Sequence, residues 1–164
     1  MSLHAEFEAL LHDVDEACRR HYGDRLVSVA VFGSVGRGTP RPDSDVDLLI
    51  VADPLPDGRL ARADDFRRVE SALAPKRHAM RRAGFDASLS PIFKTPDEIR
   101  HGSPLLLDMT SDARCLYDRD AFLAEALARL RARLSALGAR RIWRGNAWFW
   151  DLKPDLRPGE VFEL

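Results

Sequence analysis

The sequence predicts an α/β protein of the α+β type, in which a small mixed β-sheet is flanked by helices. The chain has 164 residues, 45% of them hydrophobic, which is enough to bury one core. Short β-branched apolar runs alternate with longer segments whose apolar residues recur at three- and four-residue steps. The resulting order is helix, strand, loop, strand, helix, strand, helix, strand, helix. We therefore expect a single domain over residues 1–164.

The first third of the chain predicts a helix followed by two strands. Residues 3–21 carry one apolar stripe at helical spacing, which Gly23 ends. Residues 25–33, RLVSVAVFG, are β-branched and predict an interior strand. The two glycines and two prolines of residues 35–42 predict a loop or a single helical turn. Residues 45–53, DVDLLIVAD, predict the second strand.

The middle of the chain predicts a long helix and a third strand. Residues 61–83 have helical apolar spacing, and Pro75 predicts a break or restart within them. Residues 85–93, FDASLSPIF, alternate polar and apolar side chains as a half-buried strand does.

The last third predicts helices around a short strand. Residues 97–113 are expected to be helical in two pieces around Pro104, and residues 114–118, RCLYD, to be a short strand. Asp120 is the expected N-cap of a strongly periodic helix that Gly138 ends.

The C-terminal part, from about residue 119 to residue 164, predicts that helix followed by an aromatic tail. The tail, residues 140–164, carries three tryptophans and two phenylalanines, which either cover the core or form a protein interface. Arginines on the helix and the tail form either a solvated face or a surface for a partner protein or nucleic acid; they are Arg129, Arg131, Arg133, Arg140, Arg141 and Arg144.

Composition restricts the possible functions. The net charge of −1 and the pI near 6.5 give no sign of a nucleic-acid binder that works by bulk phosphate neutralisation. Cys18 and Cys115 are far apart and neither belongs to a CxxC motif, which suits a reducing compartment. No signal peptide is recognisable, and no apolar run approaches the roughly 18 residues of a membrane span. We expect a cytoplasmic protein that does not associate with membranes.

Two aspartates at the head of an apolar strand are the most informative feature. Residues i and i+2 of a strand point to the same side about 6.6 Å apart, so Asp45 and Asp47 share one face. Two like charges beside a buried strand repel, and each loses hydration. Mg²⁺ would reverse the sign of that interaction. Two divalent ions in phosphoryl-transfer sites lie about 3.5–4 Å apart, a separation that such a pair can bracket.

The glycine-rich loop before this strand suggests a phosphate site. A P-loop requires a Lys that is absent after Gly38, and a dinucleotide fingerprint requires another glycine spacing and a long helix. A third interpretation remains, in which Gly33 and Ser34 form a tight strand exit whose N–H groups and hydroxyl face a phosphate chain. The carboxylates of the next strand would then hold its metals.

The segments FGS, GRG and SDVDLLI, residues 32–50, resemble the nucleotidyltransferase superfamily typified by DNA polymerase β, in its minimal bacterial and archaeal form. That pattern is G-S-x-A-R-G, a spacer, then S-D-x-D-L, and Gly36 stands here where alanine is usual. The resemblance implies a polymerase β palm-like fold, a triphosphate on Gly33 and Ser34, and metals on Asp45 and Asp47.

The family's third carboxylate comes from a later strand. Asp86 is the best candidate because it opens the predicted third strand, and it would complete one metal site and orient or deprotonate the attacking hydroxyl. Asp108, Asp112 and Asp151 are rivals. Arg37 is either a bidentate phosphate donor or a solvated loop arginine.

These features predict transfer of a nucleoside monophosphate, AMP from ATP, to a hydroxyl acceptor with two Mg²⁺ ions. By resemblance, minimal nucleotidyltransferases are commonly antitoxins that modify a tyrosine of a helical HEPN-type toxin, with which they form a complex; oligomerisation is possible. Two other classes stay open, a transferase that modifies a small molecule such as an aminoglycoside and a non-catalytic, nucleotide-binding regulatory subunit.

Overall fold

The computed structural model describes residues 2–145 and 147–164. The helices and strands, in chain order, are α1 Leu3–Tyr22, β1 Leu26–Phe32, α2 Gly33–Gly36, β2 Val46–Ala52, α3 Arg59–Arg82, β3 Leu89–Lys94, α4 Pro96–Arg100, α5 Pro104–Asp112, β4 Arg114–Asp118, α6 Phe122–Ala136, β5 Arg140–Arg144 and β6 Ala147–Asp151. In the described part of the chain, no helix is long and apolar enough to cross a membrane.

The main sheet is mixed, as predicted. Its strand order is β3-β2-β1-β4, and β1 runs antiparallel to both β2 and β4. Strand β3 lies parallel to β2 at one edge. The central position of β1 and β2 explains their nearly continuous apolar sequences, since strands covered on both faces have no need to alternate.

Helices cover both faces of the sheet. On one face Val46, Leu48 and Ile50 of β2 pack in the cluster that includes buried residues of α1 and α3. On the other face Leu49 and Val51 pack with buried residues of α4, α5 and α6. Alternation along a strand therefore places the side chain of Asp47 on the α5 and α6 side of the sheet.

Helix α3 runs without a break, so the predicted interruption at Pro75 is wrong. Phe66, Leu73 and Met80 follow one another at seven-residue steps and are all buried in one cluster. The apolar stripe thus continues on both sides of the proline, and its burial offsets the backbone hydrogen bond that the proline removes.

Strand β3 begins at Leu89, four residues later than predicted. The backbone N–H of Asp86 donates to the carbonyl of Pro42 at 2.7 Å instead of continuing a ladder. Pro91 lies within this strand, which is tolerated because β3 is an edge strand. The Arg62 side chain also covers this edge, because it donates a hydrogen bond to the backbone carbonyl of Phe93.

Asp118, not the predicted Asp120, caps helix α6. The carboxylate of Asp118 accepts the backbone N–H groups of Leu123 and Ala124, both at 2.9 Å. It also accepts the hydroxyl of the fully buried Ser28 at 2.6 Å. Asp120 lies in the turn between strand and helix with a φ of 53°, where its side chain is exposed.

Asp118→Ala is expected to lower the free energy of unfolding by about 1–3 kcal/mol, because it removes a helix cap and leaves the buried Ser28 hydroxyl without its acceptor. Urea unfolding followed by circular dichroism measures the change. Asp120→Asn is the matched control and should stay within about 0.5 kcal/mol, since Asn also adopts positive φ. An equal loss in both variants would contradict the assignment of the cap.

The aromatic tail forms a hairpin, which its sequence did not predict. Strands β5 and β6 pair antiparallel, with Arg141 opposite Trp150 and Trp143 opposite Trp148. A two-stranded hairpin alone is marginally stable in water. Here the hairpin is attached to α5, because the indole N–H groups of Trp148 and Trp150 both donate to Asp108 at 2.9 Å.

Candidate active site

The exit from β1 places a glycine directly against a carboxylate. Phe32 pairs with Asp47 across the β1 and β2 ladder, and Gly33 follows with a φ of 66°. A Cβ atom at Gly33 would collide with the Oδ2 atom of Asp47. The backbone conformation favours glycine at this position, and any side chain there would displace the Asp47 carboxylate.

The loop between β1 and β2 is closed by serine hydroxyls. Ser34 donates its hydroxyl to Ser44 Oγ at 3.3 Å, and the same Oγ accepts the backbone N–H of Arg41 at 2.8 Å. Ser44 is buried, whereas Ser34 is only half-buried. The Ser34 hydroxyl consequently stands at the mouth of the turn, where it can exchange this long hydrogen bond for one to a phosphate oxygen.

The paired aspartates lie next to this turn, just before and inside β2. Asp45 is exposed and Asp47 is half-buried. Burial, and next the charge of Asp45, raise the pKa of Asp47 above its usual value, while the neighbouring Ser90 side chain and the charge of Arg37 oppose the rise. Mutual repulsion of this kind is what a bound cation would relieve.

Asp47→Asn is expected to raise the Tm at pH 7 when metal and nucleotide are absent. A raised carboxyl pKa means that the folded protein binds the proton more tightly than the unfolded chain does, so ionisation at higher pH destabilises the fold. This increase in Tm over the wild type should disappear as the pH falls through the acidic range in which Asp47 becomes protonated.

Scanning calorimetry between pH 3 and pH 8 tests this expectation. Asp43→Asn is the control because the Asp43 side chain is 79% exposed in the same loop, and its Tm should stay unchanged. A lower Tm of Asp47→Asn at pH 7 would contradict the prediction.

Arg37 is held by an acidic partner, and its role as a phosphate donor stays a prediction. Its Nη1 donates to Oδ2 of Asp112 at 2.6 Å, and Asp112 lies on α5, 75 positions later in the chain. Gly36 fits closely beneath this contact, since a Cβ there would meet the carbonyl oxygens of Asp112 and Val31. The glycine that stands in place of the usual alanine is thus required by the packing of α5.

Asp86 is not grouped with Asp45 and Asp47. Its carboxylate accepts from Arg81 at 3.0 Å and is exposed. Among residues 2–145 and 147–164, no three His, Cys, Asp or Glu side chains are placed to hold one metal ion. The residue that lies opposite Asp47 on β3 is Ser90. The role of Asp86 as the third carboxylate remains a prediction.

The rival carboxylates have other partners. Asp108 accepts the two indole N–H groups of the hairpin, and Asp112 binds Arg37 and Arg141. Asp151 ends β6, opposite Arg140. Ser90 could not be predicted from the sequence, because only the strand register, which no local pattern specifies, brings it opposite Asp47.

Comparison with known proteins identifies the family. A model described as nucleotidyltransferase domain matches residues 12–100. A relative from Methanocaldococcus jannaschii, named "Putative protein adenylyltransferase", is 31% identical over 124 residues, which are 74% of this chain and 79% of the relative.

Solved structures with lower identity were also found. A toxin-antitoxin structure with AMP-PNP aligns with a TM-score of 0.43 at 18% identity, over 84% of this chain and 94% of the other. A tri-AMPylated Shewanella oneidensis HEPN toxin in complex with an MNT antitoxin gives a TM-score of 0.44 at 15% identity, over 80% and 92%. The family model covers more than half of the chain and includes the Gly33 turn, Asp45 and Asp47, so the chain belongs to the nucleotidyltransferase family and is an enzyme of that class.

Proposed function

We propose that this nucleotidyltransferase transfers AMP from ATP to a tyrosine hydroxyl of a partner HEPN-type toxin and thereby acts as an antitoxin. The observation that carries the proposal is the contact between the Gly33 turn and the Asp47 carboxylate, which puts the proposed phosphate-binding turn beside one of the two proposed metal ligands. The name of the archaeal relative supports a protein as the acceptor.

Asp45 and Asp47 would hold two Mg²⁺ ions, and the donor set fits, because carboxylate oxygens are ligands that Mg²⁺ prefers. When bound, these ions neutralise triphosphate charge and lower the pKa of an attacking hydroxyl. Gly33 and Ser34 would hold the β- and γ-phosphates through backbone N–H groups and the Ser34 hydroxyl. Binding energy at these remote phosphates then aligns the reacting phosphorus for in-line attack.

The direct test combines the purified enzyme, ATP, Mg²⁺ and the product of the neighbouring gene. Intact-mass spectrometry should show a partner heavier by one AMP, and fragmentation should place the group on a tyrosine. A partner of unchanged mass would contradict the proposed acceptor. An aminoglycoside incubated in parallel with the same enzyme distinguishes protein modification from small-molecule modification.

Calorimetric titration with MgATP separates nucleotide binding from turnover. The wild-type protein should bind MgATP, and Asp45→Asn should bind it more weakly. Binding to the wild-type protein without turnover on any partner would instead indicate a regulatory subunit.

Asp86→Asn tests the predicted third carboxylate, and Arg81→Gln is its matched variant. If Asp86 completes a metal site, it must leave Arg81, so the Asn variant should lose about 10²–10³-fold in rate while Arg81→Gln keeps or gains activity. Single-turnover kinetics measures both. If both variants behave alike, the carboxylate serves the surface ion pair alone.

A further inference from the structure

A buried carboxylate on α5 lies between the loop after the Gly33 turn and the C-terminal hairpin. Asp112 is only 5% exposed, and its two oxygens accept from different arginines. Oδ2 binds Arg37 at 2.6 Å, and Oδ1 binds Arg141 of β5 at 3.4 Å. A buried carboxylate without such partners would be strongly unfavourable.

The first of these arginines is joined to the turn through its backbone. The backbone N–H of Arg37 donates to the carbonyl of Gly33 at 3.0 Å. Gly36 packs against the backbone carbonyl of Asp112, so the end of α5 contacts the turn directly. Arg37 therefore follows Gly33 by one helical turn and is anchored at the end of α5, next to the turn on which the triphosphate would lie.

The second arginine is held by the tryptophans of the hairpin. The Arg141 guanidinium lies 5.3 Å from the ring centre of Trp148 and 5.6 Å from that of Trp150. Both indoles donate to Asp108, which precedes Asp112 by one helical turn of α5. The hairpin thus contacts α5 at two carboxylates on the same side of the helix.

Sharing of Asp112 has an electrostatic consequence. A carboxylate that is shared between two guanidinium groups neutralises Arg37 less fully than a one-to-one pair would, so Arg37 keeps positive charge for an anion. A restrained arginine also loses less side-chain entropy when it binds a phosphate than a solvated one does. Both effects favour an anionic ligand at Arg37.

We propose that Asp112 and Arg141 are positioning residues that hold Arg37 for a triphosphate, so that the C-terminal hairpin completes the nucleotide site. The inference rests on the proposed binding of MgATP at the Gly33 turn. It adds to that site a region, residues 101–164, that lies outside the matched family model.

Titration of MgATP into Arg141→Gln tests the proposal. The Kd should rise about tenfold or more, which is the scale of loss seen when a residue that orients a metal ligand is removed. With a partner substrate, KM for MgATP should rise while kcat changes little, because the chemistry at Asp45 and Asp47 is untouched. Arg140→Gln, on the opposite face of β5, is the matched control and should bind MgATP as the wild type does.

A double-mutant cycle shows whether Arg141 acts through Arg37. In an Arg37→Gln background, Arg141→Gln should have little further effect on Kd. Additive effects of the two substitutions, or an unchanged Kd in a folded Arg141→Gln protein, would overturn the proposal. If Arg141→Gln does not fold, Arg141→Lys keeps the charge beside Asp112 and should give an intermediate Kd.

The outcomes also separate this inference from the proposed function. A wild-type protein that binds MgATP independently of Arg37 and Arg141 contradicts only the role of the hairpin. A wild-type protein that does not bind MgATP overturns both.

Discussion

Asp45→Asn and Asp47→Asn are each expected to lower the rate of nucleotidyl transfer by about 10²–10³-fold, the loss that follows removal of one electrostatic stabiliser in other enzymes. The amide has the shape of the carboxylate but not its charge, so it cannot balance a divalent ion beside a triphosphate. Asp47 should be the more sensitive position, because its half-buried side chain touches Gly33 and is fixed by its register with Phe32 and Ser90. Single-turnover assays with ATP labelled at the α-phosphate measure the rate.

Asp43→Asn is the control for both variants. Asp43 lies in the same loop with its side chain largely exposed, and Arg41 is its ion-pair partner at 3.8 Å. Loss of the Asp43 charge should leave the rate within about twofold of the wild-type rate, since an exposed ion pair of this kind contributes little. Equal rates for Asp45→Asn, Asp47→Asn and the control would show that the two carboxylates take no part in the reaction.

Gly33→Ala is expected to abolish detectable transfer and to destabilise the protein. The alanine would have to adopt a φ of 66°, which costs about 1–2 kcal/mol, and its methyl group would overlap the Asp47 carboxylate. Either the carboxylate moves out of place or the turn does, and both changes disturb the site at which phosphate and metal would meet. Turnover with MgATP and partner measures the activity, and urea unfolding measures the stability.

Gly38→Ala separates the two causes. Gly38 has a similar φ of 74°, but a Cβ there would meet no atom within 4 Å among the described residues. It should therefore share the conformational destabilisation and keep most of the activity. A comparable loss of activity in both variants would show that backbone strain, rather than contact with Asp47, is responsible.

The sequence was most informative where local patterns coincide with tertiary constraints. Strands β1 and β2 and the turn between them were predicted, because a central strand that is covered on both faces is apolar throughout. The charged residues at the start of β2 then mark the end of the strand that faces solvent. Gly33 and Asp47 could be assigned to one site from their spacing. Their direct contact follows from an antiparallel pairing that places Phe32 opposite Asp47.

Other features depend on contacts between distant segments and could not be predicted. The partner of Arg37 is 75 residues away, and no spacing rule distinguishes Asp112 from the other acidic residues of that region. Asp118 caps α6 from the preceding strand because the chain turns at Asp120 and Ala121, which both have positive φ. The hairpin was missed because its two strands have only five residues each, and its tryptophans are held by Asp108 of α5, far away in the sequence.

The backbone of edge strand β3 affects how a partner can bind at that edge of the sheet. Pro91 lacks an N–H group, and Arg62 occupies the carbonyl of Phe93, so little of this backbone is left to pair with an added strand. A partner that approaches this edge has to bind through side chains. We therefore expect association at this edge to respond to salt concentration and to single side-chain substitutions. We also expect the protein to resist ordered aggregation through this strand.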